Sequence, residues 1–441
     1  MKQYPCPRFI PALLLAAGLL GLPLASVAIP ISVPVPASAP YGGNLTFSGN
    51  VALTGLYTSD VNPSGFSLGV NKKASDWALV VAPTGELDYF DNHGNAVAVG
   101  GNYTLLEFHK NTNLDTSLYA GYLSVAHGQV DPLAPNPVVG NFAANAYVSY
   151  LKSIDTSPDA AGLNLTSFLK QNQWIANANF GYRLRPIYTE IGFDYNQTNY
   201  QYTGAPIFFG IPLPLVPNYS SSVPVHVFYL LNENLAAGGA YTFTQVNNTQ
   251  GGRLQLNNVG AAALQASSLP LFGWGNLTGL AEVGAVNTNA TPGIPFNTNF
   301  STVYYQLKLN YEHRFSSAST LDFDLLGERN IQTSVSSLAY VSSTLGLNVT
   351  YRPTSSWYIL ASLGNFEHNQ YLELPRNDKR YGFGASVTRH LGFQWWILQG
   401  LDVSLAYNYT MNDSNFVGKT YSQNVVSLTG SIPFDSLLGH L

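Results

Sequence analysis

Along much of the chain, apolar and polar side chains change places at every second residue. In "TVYYQLKLNYEHRF", Thr302 to Phe315, the residues Tyr305, Leu307, Leu309 and Tyr311 share one parity; Gln306, Lys308, Asn310 and Glu312 share the other. A strand points successive side chains to opposite faces, so this stretch has an apolar, aromatic face and a polar, charged one. The pattern recurs in "WIANANFGYRLRPIYTEIGFDYN", where Trp174, Ala176, Ala178, Phe180 and Tyr182 align on one face. After the tight "RLRP" connection, Ile187, Thr189, Ile191, Phe193 and Tyr195 do the same. "LDVSLAYNYT" sets Leu401, Val403, Leu405, Tyr407 and Tyr409 against Asp402, Ser404, Asn408 and Thr410. These segments read as strands joined in hairpins.

The connections fall into two kinds. Tight turns at "RLRP" and at Pro353 to Ser356 alternate with longer polar stretches, "NTNATPGIPFNTN", "EHNQYLELPRNDKR" and "MNDSNFVGKT". A soluble sandwich has no reason to sort its loops this way, whereas a membrane barrel puts short turns on one side and long loops on the other. The expected fold is therefore all-β: a transmembrane, antiparallel, up-and-down β-barrel. Counting back from the C-terminus gives about eighteen strands, with about sixteen also compatible. The count requires Ser153 to Gln173 to form one outer loop, and its weakest register lies between Arg253 and Asn276. In such a barrel the apolar parity meets lipid and the polar parity lines a lumen.

Composition sharpens this reading. The 441 residues are 10% charged, with 28 Tyr, 23 Phe and 40 Gly. That is poor in charge and rich in aromatic residues for a soluble domain. The start carries Lys2 and Arg8 and runs into "FIPALLLAAGLLGLPLASVA", an apolar core ending in small residues. It reads as a signal peptide over residues 1–28, cut before Ile29. A Pro-rich linker over 29–43, the barrel over 44–434 and a short tail over 435–441 complete the expected organisation. Cys6 is the only cysteine and precedes the apolar core, so disulfides and cysteine metal sites are excluded from the mature chain. Without Lys2 and Arg8, the 24 acidic residues outnumber the remaining basic ones, and no nucleic-acid partner is indicated.

Little in the sequence points to catalysis. The eight histidines are scattered without metal-ligand spacing on any strand, and no Gly-x-Ser-x-Gly elbow occurs. No cofactor is expected. The charges on the polar parity stand out instead: Glu190, Asp194, Lys308, Glu312, Arg352 and Asp402 are candidates for lining a lumen, where rings of charge bias what enters. The stretch "TGAPIFFGIPLPLVPNY" is apolar where an outer loop should be polar. Phe208, Phe209, Ile211 and Leu213 are its candidates for a constriction folded into the mouth.

The last third resembles the outer-membrane β-barrel porins associated with exopolysaccharide loci. The resemblance rests on "RNDKRYGFGASVTRHL", "LDVSLAYNYTMNDSN" and "YSQNVVSLTGSIPF", and on an earlier piece, "KASDWALVVAPTGELDYF". It implies passive passage of small hydrophilic solutes, or of a surface polysaccharide, through the outer membrane. It also implies partnership with outer-membrane lipid and with the assembly machinery that reads a closing strand, here carried by Leu428, Gly430, Ile432 and Phe434. The family's closing strand ends at an aromatic residue, whereas here Phe434 is followed by "DSLLGHL". Three other readings stay open: a non-conducting barrel that binds partners through outer loops such as Phe366 to Arg380, a barrel hydrolase with a site at the rim, and a secreted soluble β-protein.

Overall fold

The computed structural model describes residues 44–59, 75–91, 93–112, 115–128, 130–133, 141–154, 170–201, 207–208, 211–212, 217–248, 253–271, 275–290, 298–333, 339–372, 375–393, 400–416 and 420–440. The expected signal peptide and linker lie outside them.

The strands run β1 Asn44–Thr58, β2 Asp76–Phe90, β3 Asn95–Phe108, β4 Thr116–His127, β5 Phe142–Ile154, β6 Lys170–Leu184 and β7 Ile187–Gln201. A two-residue pair follows, β8 Ile207–Phe208 and β9 Ile211–Pro212. Then come β10 Asn218–Asn232, β11 Leu235–Asn248, β12 Arg253–Leu271, β13 Gly275–Ala290 and β14 Thr298–Arg314. The chain ends with β15 Thr320–Thr333, β16 Ala339–Thr354, β17 Trp357–Tyr371, β18 Asn377–Leu391, β19 Leu401–Ser414 and β20 Tyr421–His440. Apart from β8 and β9, each strand pairs antiparallel with its sequence neighbours, and β20 closes onto β1, making one 18-stranded sheet without an open edge. Strands about 4.8 Å apart, tilted by about 40°, enclose a wall roughly 36 Å across between backbones.

Alternation of the two faces explains why these segments form strands. On β1, Leu53 is 53% exposed while Leu56, on the other parity, is 1% exposed. The register carries this division around the whole sheet. Leu309 opposes Leu325, Leu405 opposes Leu428, and Thr54 opposes Thr429, whose hydroxyl it meets at 2.8 Å.

Which side is concave follows from long-range contacts. His226 on β10 meets Glu282 on β13 at 3.1 Å although β11 and β12 lie between them. Side chains three strands apart converge only on the inside of a cylinder. The parity of His226 and Glu282 therefore faces the lumen, and the parity of Leu53, Ile191, Val283, Leu405 and Leu428 faces out. So much exposed apolar surface suits acyl chains, not water. Aromatic pairs sit toward both ends of the outer face, Tyr57 with Trp77 at one and Phe315 with Tyr351 at the other. That is where amphipathic rings suit the lipid–water boundary.

The strands are longer than the 9–11 residues that a tilted transmembrane strand needs. This corrects the expected outer loop Phe366 to Arg380: β17 continues to Tyr371 and β18 starts at Asn377. Its polar residues belong to the wall. Asn369, Asp378 and Arg380 are almost fully buried, and Arg376 pairs with Asp378. β19 likewise runs through "MNDS" to Ser414. Of the stretch Ser153 to Gln173, β5 takes the start and β6 the end. The uncertain register near Arg253 contains a bulge between Ala266 and Leu269, with Ser268 at φ 47°, where Asn234 donates to the Ser267 carbonyl at 2.8 Å.

The closing strand also differs from expectation. β20 passes Phe434 and reaches His440, pairing with β1 as far as Asn44, so the backbone of 435–440 is strand and not tail. Phe434 lies over Gly49 of β1, against Phe47 at a ring-centroid distance of 5.5 Å. A Cβ at Gly49 would strike the Phe434 ring and the Thr84 carbonyl. Gly49→Val should therefore obstruct closure of the barrel, at a cost of about 1–3 kcal/mol or more. Heat-modifiable gel mobility of the outer-membrane fraction checks this. The folded band should fall sharply for Gly49→Val and stay near wild type for Gly55→Val, whose Cβ would meet nothing within 4 Å.

Candidate functional site: the inner wall

The six charges expected on the polar parity all take inner-wall positions by register. Glu190 and Asp194 lie on β7, opposite His226 and Ser222 of β10. Lys308 and Glu312 lie on β14, Arg352 on β16 and Asp402 on β19. They do not form one ring. Glu190 faces His226, whose Nε2 meets Glu282 Oε1; the Tyr304 hydroxyl donates to Glu282 Oε2 at 2.9 Å. Lys308 stands within electrostatic reach of both Glu282 and Glu328 of β15. The Ser222 hydroxyl donates to Asp194 at 3.2 Å. Between them, pairing of β7 with β10 lapses at Val223 and Pro224, where proline has no N–H to give.

The other three lie apart, toward the end of the barrel that carries the two-residue turns. Glu312 pairs with Arg314, Asp402 meets His390 Nδ1 at 2.7 Å, and Arg352 sits 4.9 Å over the Tyr358 ring with Asp322 near it. His226, Glu282, Tyr304 and Glu328 were not anticipated. Their parity was readable in each strand, but which inward groups meet across intervening strands depends on curvature and stagger.

Two pieces of chain narrow the bore. At the short-turn end, where both described termini also lie, the connection between β4 and β5 is the longest: it runs from Gly128 to Asn141. Its described part enters the barrel. Arg183 of β6 donates from Nη2 to the carbonyls of Asp131 at 3.0 Å and Pro132 at 2.7 Å. Gln265 of β12 donates to Asp131 Oδ1 at 3.1 Å, and the Leu133 amide donates to the same oxygen at 2.7 Å. Leu133 packs among Tyr188, Phe228, Ala236, Ala240 and Ala263, the inner faces of β7, β10, β11 and β12. Small residues on β11 and β12 make room for this leucine. Burial raises the Asp131 carboxyl above its ordinary range, with the Leu133 amide and the Arg183 charge pulling the other way.

At the opposite end, pairing of β14 with β15 stops at Tyr305 and Arg329. Beyond it, Ile331 of β15 and Val341 of β16 pack onto Val259, Val286 and Tyr304 of the inner wall. The described ends of β15 and β16 lean over the mouth. Of the expected constriction at Thr203 to Tyr219, the end belongs to the start of β10 and the rest is described only as the β8–β9 backbone pair; the side chains of Phe208 and Ile211, and the whole of Phe209 and Leu213, lie outside the described residues. Of the closing-strand candidates, Leu428 and Ile432 point outward, Gly430 opposes Leu53, and Phe434 covers Gly49.

Residues 307–432 match the model of a family described as "Putative beta-barrel porin 2". No curated protein matches the chain. Among solved structures, the chain is similar to the outer membrane protein OpdK of Pseudomonas aeruginosa, at 9% identity and TM-score 0.41, covering 89% of this chain and 99% of that one. It is similar to OccK2 (OpdF) of the same organism, solved in complex with glucuronate, at 10% identity and TM-score 0.42, covering 90% and 98%. OccAB3 of Acinetobacter baumannii gives 9% identity and TM-score 0.39, covering 88% and 99%. With its closed wall and its outward apolar parity, the protein is a closed antiparallel 18-stranded β-barrel, and residues 307–432 of it are similar to a family of β-barrel porins.

Proposed function

We propose that the barrel passes small hydrophilic solutes passively and favours cations. The observation that carries this reading is the excess of carboxylates on the inner wall from β7 to β16. Glu190, Asp194, Glu282, Glu312, Asp322, Asp324 and Glu328 stand there against Lys308, Arg314 and Arg352, and His226 is engaged with Glu282. Carboxylates around a bore raise the local concentration of cations and oppose anions. The Asp131–Leu133 segment and the strand ends at Ile331 and Val341 set the bore from the two ends. Nothing in this mechanism requires a covalent step; size and charge do the sorting.

Three outcomes in planar bilayers test the reading. With a potassium chloride gradient, the reversal potential should have the sign of potassium preference, and chloride preference would overturn it. Glu282→Gln with Glu328→Gln should move the potassium-to-chloride permeability ratio toward unity by about twofold or more. Leu133→Asp or Arg183→Ala should release the inward segment, since Arg183 supplies two charge-assisted bonds worth roughly 1.5–3 kcal/mol each. Single-channel conductance should then rise by roughly half or more, and unchanged conductance would remove that segment from the bore. The resemblance noted in the sequence extends the proposal to polysaccharide. Stepwise block of the current by added polysaccharide would support that extension, and current indifferent to it confines passage to small solutes.

A further inference from the structure

The outer face carries a feature that solute passage does not use. On β4, β5 and β6, at the end remote from the two-residue turns, Tyr119 opposes Lys152 and Tyr150 opposes Trp174. Lys152 Nζ lies 5.5 Å from the centroid of the Tyr119 ring. The rings of Tyr150 and Trp174 are 4.8 Å apart, and those of Tyr119 and Tyr150 are 5.9 Å apart. Lys152 also opposes Asn172, and Lys170 stands two residues further up that same face of β6, close enough for its charge to feel that of Lys152. Neither lysine has an ion-pair partner among the described residues.

Below the lysines the wall is hollowed. Gly121 lies beside Tyr150 in the register, and a Cβ there would meet nothing closer than 3.9 Å. The missing side chain leaves a shallow, open recess lined by Tyr119, Gly121, Leu123, Val148, Tyr150 and Trp174. Leu123 and Val148 continue it toward the middle of the membrane as purely apolar surface. A greasy recess topped by an aromatic shelf, with two cations above it that have no ion-pair partner among the described residues, is matched to an amphiphile with acyl chains and an anionic head. Isolated snorkelling lysines need no such recess, and an aromatic girdle alone needs no pair of neighbouring like charges.

We propose that this face is a binding site for a phosphorylated, acylated glycolipid of the outer leaflet. Lys152 and Lys170 would take the phosphate, Tyr119 and Trp174 would border the sugar, and the recess over Gly121 would seat an acyl chain. Two ammonium groups held side by side repel each other, and a phosphate between them turns that repulsion into attraction.

Native mass spectrometry of the intact detergent-solubilised barrel tests this, with titration by bis-phosphorylated lipid A, its phosphate-free counterpart and inorganic phosphate. The wild type should retain one bis-phosphorylated lipid, bind the phosphate-free form roughly tenfold or more weakly, and retain no inorganic phosphate. The double variant Lys152→Gln, Lys170→Gln should bind the two lipids alike, while heat-modifiable mobility reports that it is folded. Trp174→Leu, which keeps both charges, should weaken both lipids. Arg389→Gln, on the outer face near the other end, should change nothing. Equal binding of the two lipids by the wild type, or undiminished phosphate preference in the folded double variant, overturns the proposal. Retention of inorganic phosphate in place of lipid would make the site one for free anions and overturn it as a lipid site.

Discussion

In hydrocarbon, a backbone N–H or C=O without a partner costs several kcal/mol, and no water is present to supply one. Everything else in this structure follows from meeting that constraint with strands alone. A sheet can do so only by having no edge, so β20 must find β1. The seam is the one place where strands from the two ends of the chain have to recognise each other. There an aromatic ring on β20 occupies the space that Gly49 leaves on β1. Closure then divides the side chains into two sets with two different solvents, and period-two alternation assigns each residue to one of them.

Closure also brings distant residues together. Because the wall curves, inward groups on β10, β13 and β14 reach one another while outward groups on the same strands diverge. Curvature concentrates charge inside and dilutes apolar surface outside. It also lets a connection that turns inward find a complete socket. Leu133 and the Asp131 and Pro132 carbonyls are held by residues of β6, β7, β10, β11 and β12 at once.

Much of this was readable in the residues. Strict alternation at Tyr305 to Tyr311 and at Leu401 to Thr410 announced the faces, and "RLRP" and Pro353 to Ser356 announced their turns. The strand number followed, because a barrel tolerates only alternating up and down segments. The inner-wall positions of Glu190 and Lys308 followed from parity alone. Strand ends were less legible. "EHNQYLELPRNDKR" is polar on both parities because the wall there rises above the acyl region, so polarity no longer separates strand from loop. The inward segment left no local signal: "QVDPLAPNPVVG" has the composition of an ordinary loop. Its partners, Arg183 and Gln265, are 52 and 134 residues from Asp131. Which inward charges meet was equally hidden, since His226 and Glu282 become neighbours only once β11 and β12 have set the curvature.

The central claim is the assignment of the two parities to lipid and to water. Spin labels attached to Val403→Cys, Ser404→Cys and Leu405→Cys in proteoliposomes measure it residue by residue, by comparing collisions with oxygen and with a water-soluble nickel chelate. Labels at 403 and 405 should respond to oxygen and the label at 404 to the chelate. The reverse order, or three labels alike, would contradict it.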